Sequence, residues 1–166
     1  MRINPITSIL CLLLLTLGLS AHAQQWRVDP ITPLDQQFMD KAKDQLNDNA
    51  RRSLGRSFGQ GRDSDLQLMQ TMLDRHLIDK DNLTQLQAMG IIMGEYLQRE
   101  HSLRWVVYSD KKGRSRALEV PTKDEFIFPV TQISSRVSVG AEVDVKAIYE
   151  KLESEIARIK KMIIIR

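Results

Sequence analysis

The apolar pattern of this chain changes period twice, and those two changes restrict its fold more than any other feature. From Thr32 to about residue 101 the apolar residues recur at helical spacing. From Leu103 to Phe128 the chain turns extended, with aromatic and β-branched residues in short runs. Helical spacing returns after Asp144. A chain that is helical, then extended, then helical again points to an α+β fold rather than to alternating βαβ units.

The individual elements follow from local signals. Thr32-Pro33 starts the first helix, with Thr32 as N-cap and Pro33 where its missing N–H costs nothing. Leu34, Phe38, Ala42, Leu46 and Ala50 then mark one apolar face, and Gly55 ends the helix. A second helix starts near Asp63 or Ser64 with Leu66, Met69, Met72, Leu73, His76 and Leu77 on one side. A third begins at about Asn82, with Leu83, Leu86, Met89, Gly90, Met93, Tyr96 and Leu97 facing inward. Trp105-Val106-Val107-Tyr108 and Arg114 to Val120 read as two strands around the turn Asp110-Lys111-Lys112-Gly113. Glu125-Phe126-Ile127-Phe128 is a third strand, stopped by Pro129. Residues 130–139 fit a short helix or a loop equally. Asp144 caps a last helix carrying Val145, Ile148, Leu152, Ile156, Ile159 and Ile163. The expected architecture is α+β: a helical N-terminal half, a three-stranded antiparallel meander, and a long C-terminal helix packed on the sheet. Three strands alone are not stable without such a cover.

Residues 1–23 read as a cleavable secretory signal peptide. Arg2 supplies the positive start, Ile6 to Leu19 the apolar stretch, and Ala21-His22-Ala23 the small-residue cleavage site. That stretch is too short for a spanning helix, which needs about 20 residues. Cys11, the one cysteine, lies inside it, and Ile9-Leu10 before it do not suit lipidation. Cleavage leaves 143 residues and lowers the formal net charge from +3 to +2. The expected organisation is an extended leader at 24–31 and a single domain at 32–166, with no disulfide and no transmembrane segment after cleavage. The near-balanced, interspersed charge gives no footprint for nucleic acid.

Chemistry-bearing residues are few. After cleavage only His76 and His101 remain, and without cysteine the usual zinc spacings do not arise, so no metal or cofactor is expected. His76 lies on the apolar side of its helix, and His101 suits a helix C-terminus. Gly59-Gln60-Gly61-Arg62 has the glycines of a phosphate loop but neither the preceding strand nor the lysine. Gly90 and Gly94 share a helix face and allow close approach to the sheet or the last helix. Glu95, beside them, is a secondary candidate for acid or base work if buried. The hairpin concentrates the rest: Trp105 as an aromatic platform, with Asp110, Arg114 and Arg116 nearby. Arginine forks suit planar anions. The same residues also fit a purely structural role, with Trp105 in the core and Arg114 paired to Asp110.

Leu86-Gln87-Ala88-Met89-Gly90, Gly94-Glu95, Trp105-Val106-Val107, Asp110 with Gly113-Arg114, and Ala117-Leu118 form an ordered set of signposts. Phe128-Pro129-Val130-Thr131, Ile133-Ser134 with Arg136, and Val143-Asp144-Val145 continue it. Over roughly residues 80–155 the chain resembles the bacterial domain of unknown function 3806 family. The basic Lys111-Lys112 pair departs from the more acidic or aromatic turn expected there. The resemblance implies a bacterial source and a periplasmic location where the envelope has two membranes. It carries no activity, and it directs attention to Trp105, Asp110, Arg114 and Arg136.

The expected function is a periplasmic binding or protein-interaction module. Its partner would be a protein, a peptide or a small anionic ligand, held at Trp105, Asp110, Arg114 and Arg136. The alternatives are a small envelope hydrolase using Glu95 and Asp110, and a structural protein that self-associates. The apolar end Met162-Ile163-Ile164-Ile165 makes a homo-oligomer through the C-terminal helix one such alternative.

Overall fold

A computed structural model describes residues 26–162 of the chain. The expected signal peptide and residues 163–166 of the apolar tail lie outside the described residues. The fold is α+β, in the order β1 (Arg27–Pro30), α1 (Pro33–Leu54), α2 (Arg62–Asp74), α3 (Leu83–His101), β2 (Arg104–Asp110), β3 (Gly113–Val120), β4 (Glu125–Ile127), α4 (Ser134–Ser138) and α5 (Val145–Lys161). The strands form one antiparallel sheet in the order β1-β2-β3-β4. The sheet thus has four strands rather than three. Part of the expected leader pairs with β2, Arg27 opposite Ser109 and Pro30 opposite Val106. Four residues ending in proline carry little periodicity of their own, and their partner lies about 80 positions away.

Helix α1 starts where its cap requires. The Thr32 hydroxyl accepts from the Asp35 N–H, and the Asp35 carboxylate accepts from the Thr32 N–H, both at 3.2 Å. Its buried face runs through Asp35, Met39, Ala42, Leu46 and Ala50. Leu34, expected inward, is 76% exposed, and Phe38 is half-buried. The face is rotated by one residue at its start because a buried carboxylate, not a leucine, meets the sheet there. Gly55 closes the helix at φ 63°.

Helix α2 ends at Asp74, so His76 is not on its apolar side. The Leu77 N–H bonds the Met72 carbonyl and the His76 N–H bonds the Leu73 carbonyl. This is a Schellman stop with His76 in the left-handed position at φ 51°, exposed to solvent. Helix α3 is capped by Asn82, whose side chain accepts from the Gln85 N–H. Leu83, expected inward, is 50% exposed. From Ala88 to Gly94 every residue of α3 is buried, which makes it the central helix.

Two glycines of α3 set how closely its neighbours approach. A Cβ on Gly94 would meet Cζ2 of Trp105 at 2.5 Å, so the Trp105 ring of β2 lies directly against the helix. A Cβ on Gly90 would run into the backbone carbonyls of Pro129 and Val130, in the segment leading to α4. Helix α5 starts at Asp144, whose carboxylate accepts from the Ala147 N–H. It buries Val145, Ile148, Tyr149, Leu152, Ile156 and Ile159 against α2, α3, β3 and β4. The core is rich in methionine: Met39, Met69, Met72, Met89 and Met93 are each at most 1% exposed. Among the described residues no helix is long and apolar enough to cross a membrane.

Candidate functional site

Alternation along β2 decides what each side chain of the hairpin can meet. Trp105 points toward the helices, where its ring packs on Gly94 and its Nε1, closed off from solvent, has no hydrogen-bond partner. Asp110 closes its turn, its carboxylate accepting from the Lys112 N–H at 2.8 Å. Arg114 reaches Asp35 rather than Asp110, at 2.6 Å. Arg136 folds back on Gln132, donating to its backbone carbonyl at 2.5 Å and to its side-chain oxygen at 3.0 Å. Glu95 is tied to Lys43 at 2.5 Å. Burial alone would lower the Lys43 pKa; the Glu95 and Asp40 carboxylates beside it turn the balance and raise it. Among the described residues no hydrogen bond or ion pair joins any two of Trp105, Asp110, Arg114, Arg136 and Glu95.

Asp35 organises the helix-facing end of the hairpin, a role the sequence reading missed. It is 2% exposed and accepts from Arg114, the Thr32 hydroxyl and the Thr32 N–H, with Arg116 at 3.1 Å. The Arg114 guanidinium holds its carboxyl well below the usual carboxylate range, against burial that pushes the other way. Arg116 lies over the Phe38 ring, 4.1 Å from its centroid. Burial lowers the Arg116 pKa. This set locks α1 to β3. The signal that could have found it is the Thr32-x-x-Asp35 spacing, a capping-box pattern.

The glycine-rich connection before α2 has its own anion. Asp65, 1% exposed, accepts from the Gly59 N–H at 2.8 Å and the Gln60 N–H at 3.2 Å. It also accepts from the Tyr96 hydroxyl at 2.8 Å. Burial and this carboxylate push Tyr96 up to about 12. The N–H groups a phosphate would need are therefore taken by a side chain of the next helix.

The opposite face of the sheet carries an aromatic cluster. Tyr108 stacks with Trp26 at 5.9 Å between centroids and 17° between planes. Phe126 lies 5.1 Å from Tyr108 and 5.6 Å from Trp26, and Phe128 is edge-on to Tyr108 at 5.3 Å. Ser115 and Ala117 of β3, small residues in register with Tyr108 and Val106, let rings from β2 and β4 meet above them. All four rings are half-buried and stand apart from the main hydrophobic core. At the rim Arg104 and Glu119 pair at 2.6 Å.

A second feature lies at the far end of the helices. An open cleft of about 740 Å³ runs between α2 and α5, lined in part by Arg62, Gln67, Gln70, Lys146, Tyr149 and Glu153. Gln70 fixes one wall, donating to the Val143 carbonyl and accepting from the Val145 N–H. Arg62 lies 3.2 Å from Glu100 and 3.9 Å from Glu153, and its Nε bonds Asp63 at 3.0 Å. These carboxylates, Asp63 first, raise its pKa further. The Tyr149 hydroxyl donates to Glu100 at 2.9 Å, and burial pushes its pKa up. The Nε2 of His101 lies 3.6 Å from Glu153. Ligand atoms of Glu100, His101 and Glu153 all fall within 4.8 Å of one another. Sequence spacing could not show this group, because Glu153 comes from a helix some 50 positions on.

A crystal structure from Bacteroides thetaiotaomicron VPI-5482, at 1.50 Å resolution, is similar in fold, with a TM-score of 0.70 and 18% sequence identity. The match covers 82% of this chain and 50% of the other, so this chain spans about half the length of that protein. No curated protein matches the chain. The family model described as a domain of unknown function, DUF3806, matches residues 65–149, from the buried Asp65 of α2 to the cleft-lining Tyr149 of α5. That span is more than half of the chain, and the chain belongs to this family.

Proposed function

We propose that this chain is an exported bacterial binding module of the periplasm, which docks an extended apolar segment of another protein on the aromatic face of its sheet. The observation that carries the reading is the four-ring cluster of Trp26, Tyr108, Phe126 and Phe128 on the face turned away from the core. Large, rigid rings with few torsions to freeze are what interface centres are built from. The chemistry of the rim favours a polypeptide over a sugar. A glycan needs several free donors and acceptors beside the rings, and here Arg104 and Glu119 bond each other. Strand β1 is also an edge of the sheet. An incoming strand beside it would lay alternate side chains against Trp26 and Val28, as strand addition does. Export rests on residues 1–23. The hairpin arginines serve this reading indirectly, holding the sheet on α1 through Asp35.

A photo-cross-linking amino acid at position 126, with a second placed at the exposed Lys151 as control, tests the proposal in a host with a two-membrane envelope. A discrete adduct from 126, mapped by mass spectrometry to an apolar segment of one partner and lost with Tyr108→Ser, is the expected result. Equal adducts from both positions, or an adduct only to a second copy of this chain, would count against it. The mass of the exported protein should begin at Gln24.

A further inference from the structure

We infer that Glu100, His101 and Glu153 form a binding site for a divalent transition-metal cation of the zinc class, for which the Arg62 guanidinium is the resident competitor. Three observations converge. The three ligand atoms lie within 4.8 Å of one another, and Glu153 Oε1 is 3.6 Å from His101 Nε2. One imidazole with two carboxylates is a donor set that suits zinc. His101 Nε2 is closed off from solvent and has no hydrogen-bond partner, although Glu153 lies just outside bonding distance. A buried nitrogen left in that condition loses its hydration without return, and a metal ion would restore the missing bond.

The third observation is Arg62 itself. It sits between carboxylates brought in by two different helices, 3.2 Å from Glu100 and 3.9 Å from Glu153. Two negative charges held together need a cation between them. A guanidinium neutralises one, whereas a divalent ion neutralises both and adds the imidazole as a ligand. Arg62 would not be stranded by the exchange, because its Nε is already bonded to Asp63. The Tyr149 hydroxyl, bonded to Glu100, is placed to orient that carboxylate as a supporting residue does around a metal. Lys160, bonded to the His101 backbone carbonyl, fixes the ligand's main chain. The site opens on the cleft between α2 and α5 through Glu153 and Arg62.

Calorimetric titration of the untagged, chelator-stripped protein with zinc chloride tests this, with calcium chloride as control. One zinc per chain is expected and no heat from calcium. His101→Gln and Glu153→Gln should each weaken binding by at least about 10-fold. His76→Gln, which changes the exposed histidine, should leave it unaltered. Arg62→Gln should tighten zinc binding by about 10-fold, because it removes the competitor while keeping all three ligands. A purely structural ion-pair network predicts the reverse, loss of stability without a response to zinc. Circular dichroism confirms that each variant is folded, and Glu153→Gln serves if His101→Gln is not. Absence of saturable binding in both the parent and Arg62→Gln would overturn the inference. So would zinc binding that survives His101→Gln or disappears with His76→Gln.

Discussion

Asp35 replaces an apolar contact with a carboxylate, and the reason it can do so is the number of donors around it. Arg114, Arg116 and both donors of Thr32 converge on its two oxygens. Removing the carboxylate leaves the half-buried Arg116 facing an apolar site, so Asp35→Ala should cost about 2–3 kcal/mol in urea denaturation at pH 7. The sign of the pH dependence follows from the lowered folded-state pKa. The contribution is complete above the unfolded carboxylate value of about 3.9 and is lost as pH falls toward the folded value. The gap between parent and variant should therefore shrink by about 1–2 kcal/mol between pH 5 and pH 2.5. An unchanged gap across that window would contradict this account. At this scale the caps and the hairpin turn were legible: Thr32, Gly55 and Asp144 close helix ends, and Gly113 takes the positive φ of its turn, where their chemistry predicts. Leu34 and Asp35 were not, because hydropathy alone sends the leucine inward. Only the arginines of a distant strand reverse that choice.

Helix α3 shows what an element can and cannot declare in advance. Its glycine pair announced close packing, and its continuous burial fits that reading. Which surfaces approach was not stated by the spacing: Gly94 receives the Trp105 ring, and Gly90 receives main chain. The two differ in what can yield. A ring can tilt, whereas the carbonyls of Pro129 and Val130 move only with their segment. Gly90→Ala should therefore lower the melting temperature more than Gly94→Ala, by a margin corresponding to about 1 kcal/mol or more. A thermal melt followed by circular dichroism measures this, and equal shifts would rule it out. Strand β1 marks the limit of reading by element. Its residues carry a plain extended signal, and only the pairing with β2 makes them part of a sheet.

Across the whole molecule, the candidate residues of the hairpin were legible as residues but not as a site. Trp105 and Tyr108 are three apart on one strand and so face opposite sides of the sheet. The aromatic face needs Trp26, Tyr108, Phe126 and Phe128 from three separate segments, and only strand register assembles them. The same holds for the cleft, where α3 delivers Glu100 and His101 to Glu153 of α5.

Five thioethers sealed in one core give this fold a chemical memory. Mild peroxide should convert Met162, 40% exposed, while Met39, Met69, Met72, Met89 and Met93 stay intact as long as the chain is folded. In denaturant the five should oxidise together, which peptide mass spectrometry would resolve; their stepwise oxidation under native conditions would refute the idea. Each sulfoxide places a polar group where no partner waits, so a molecule oxidised while open would not close again. Under a slow oxidant the working life of such a protein is then set by the fraction of time it stands open, because the fold recloses many times for each sulfur that reacts.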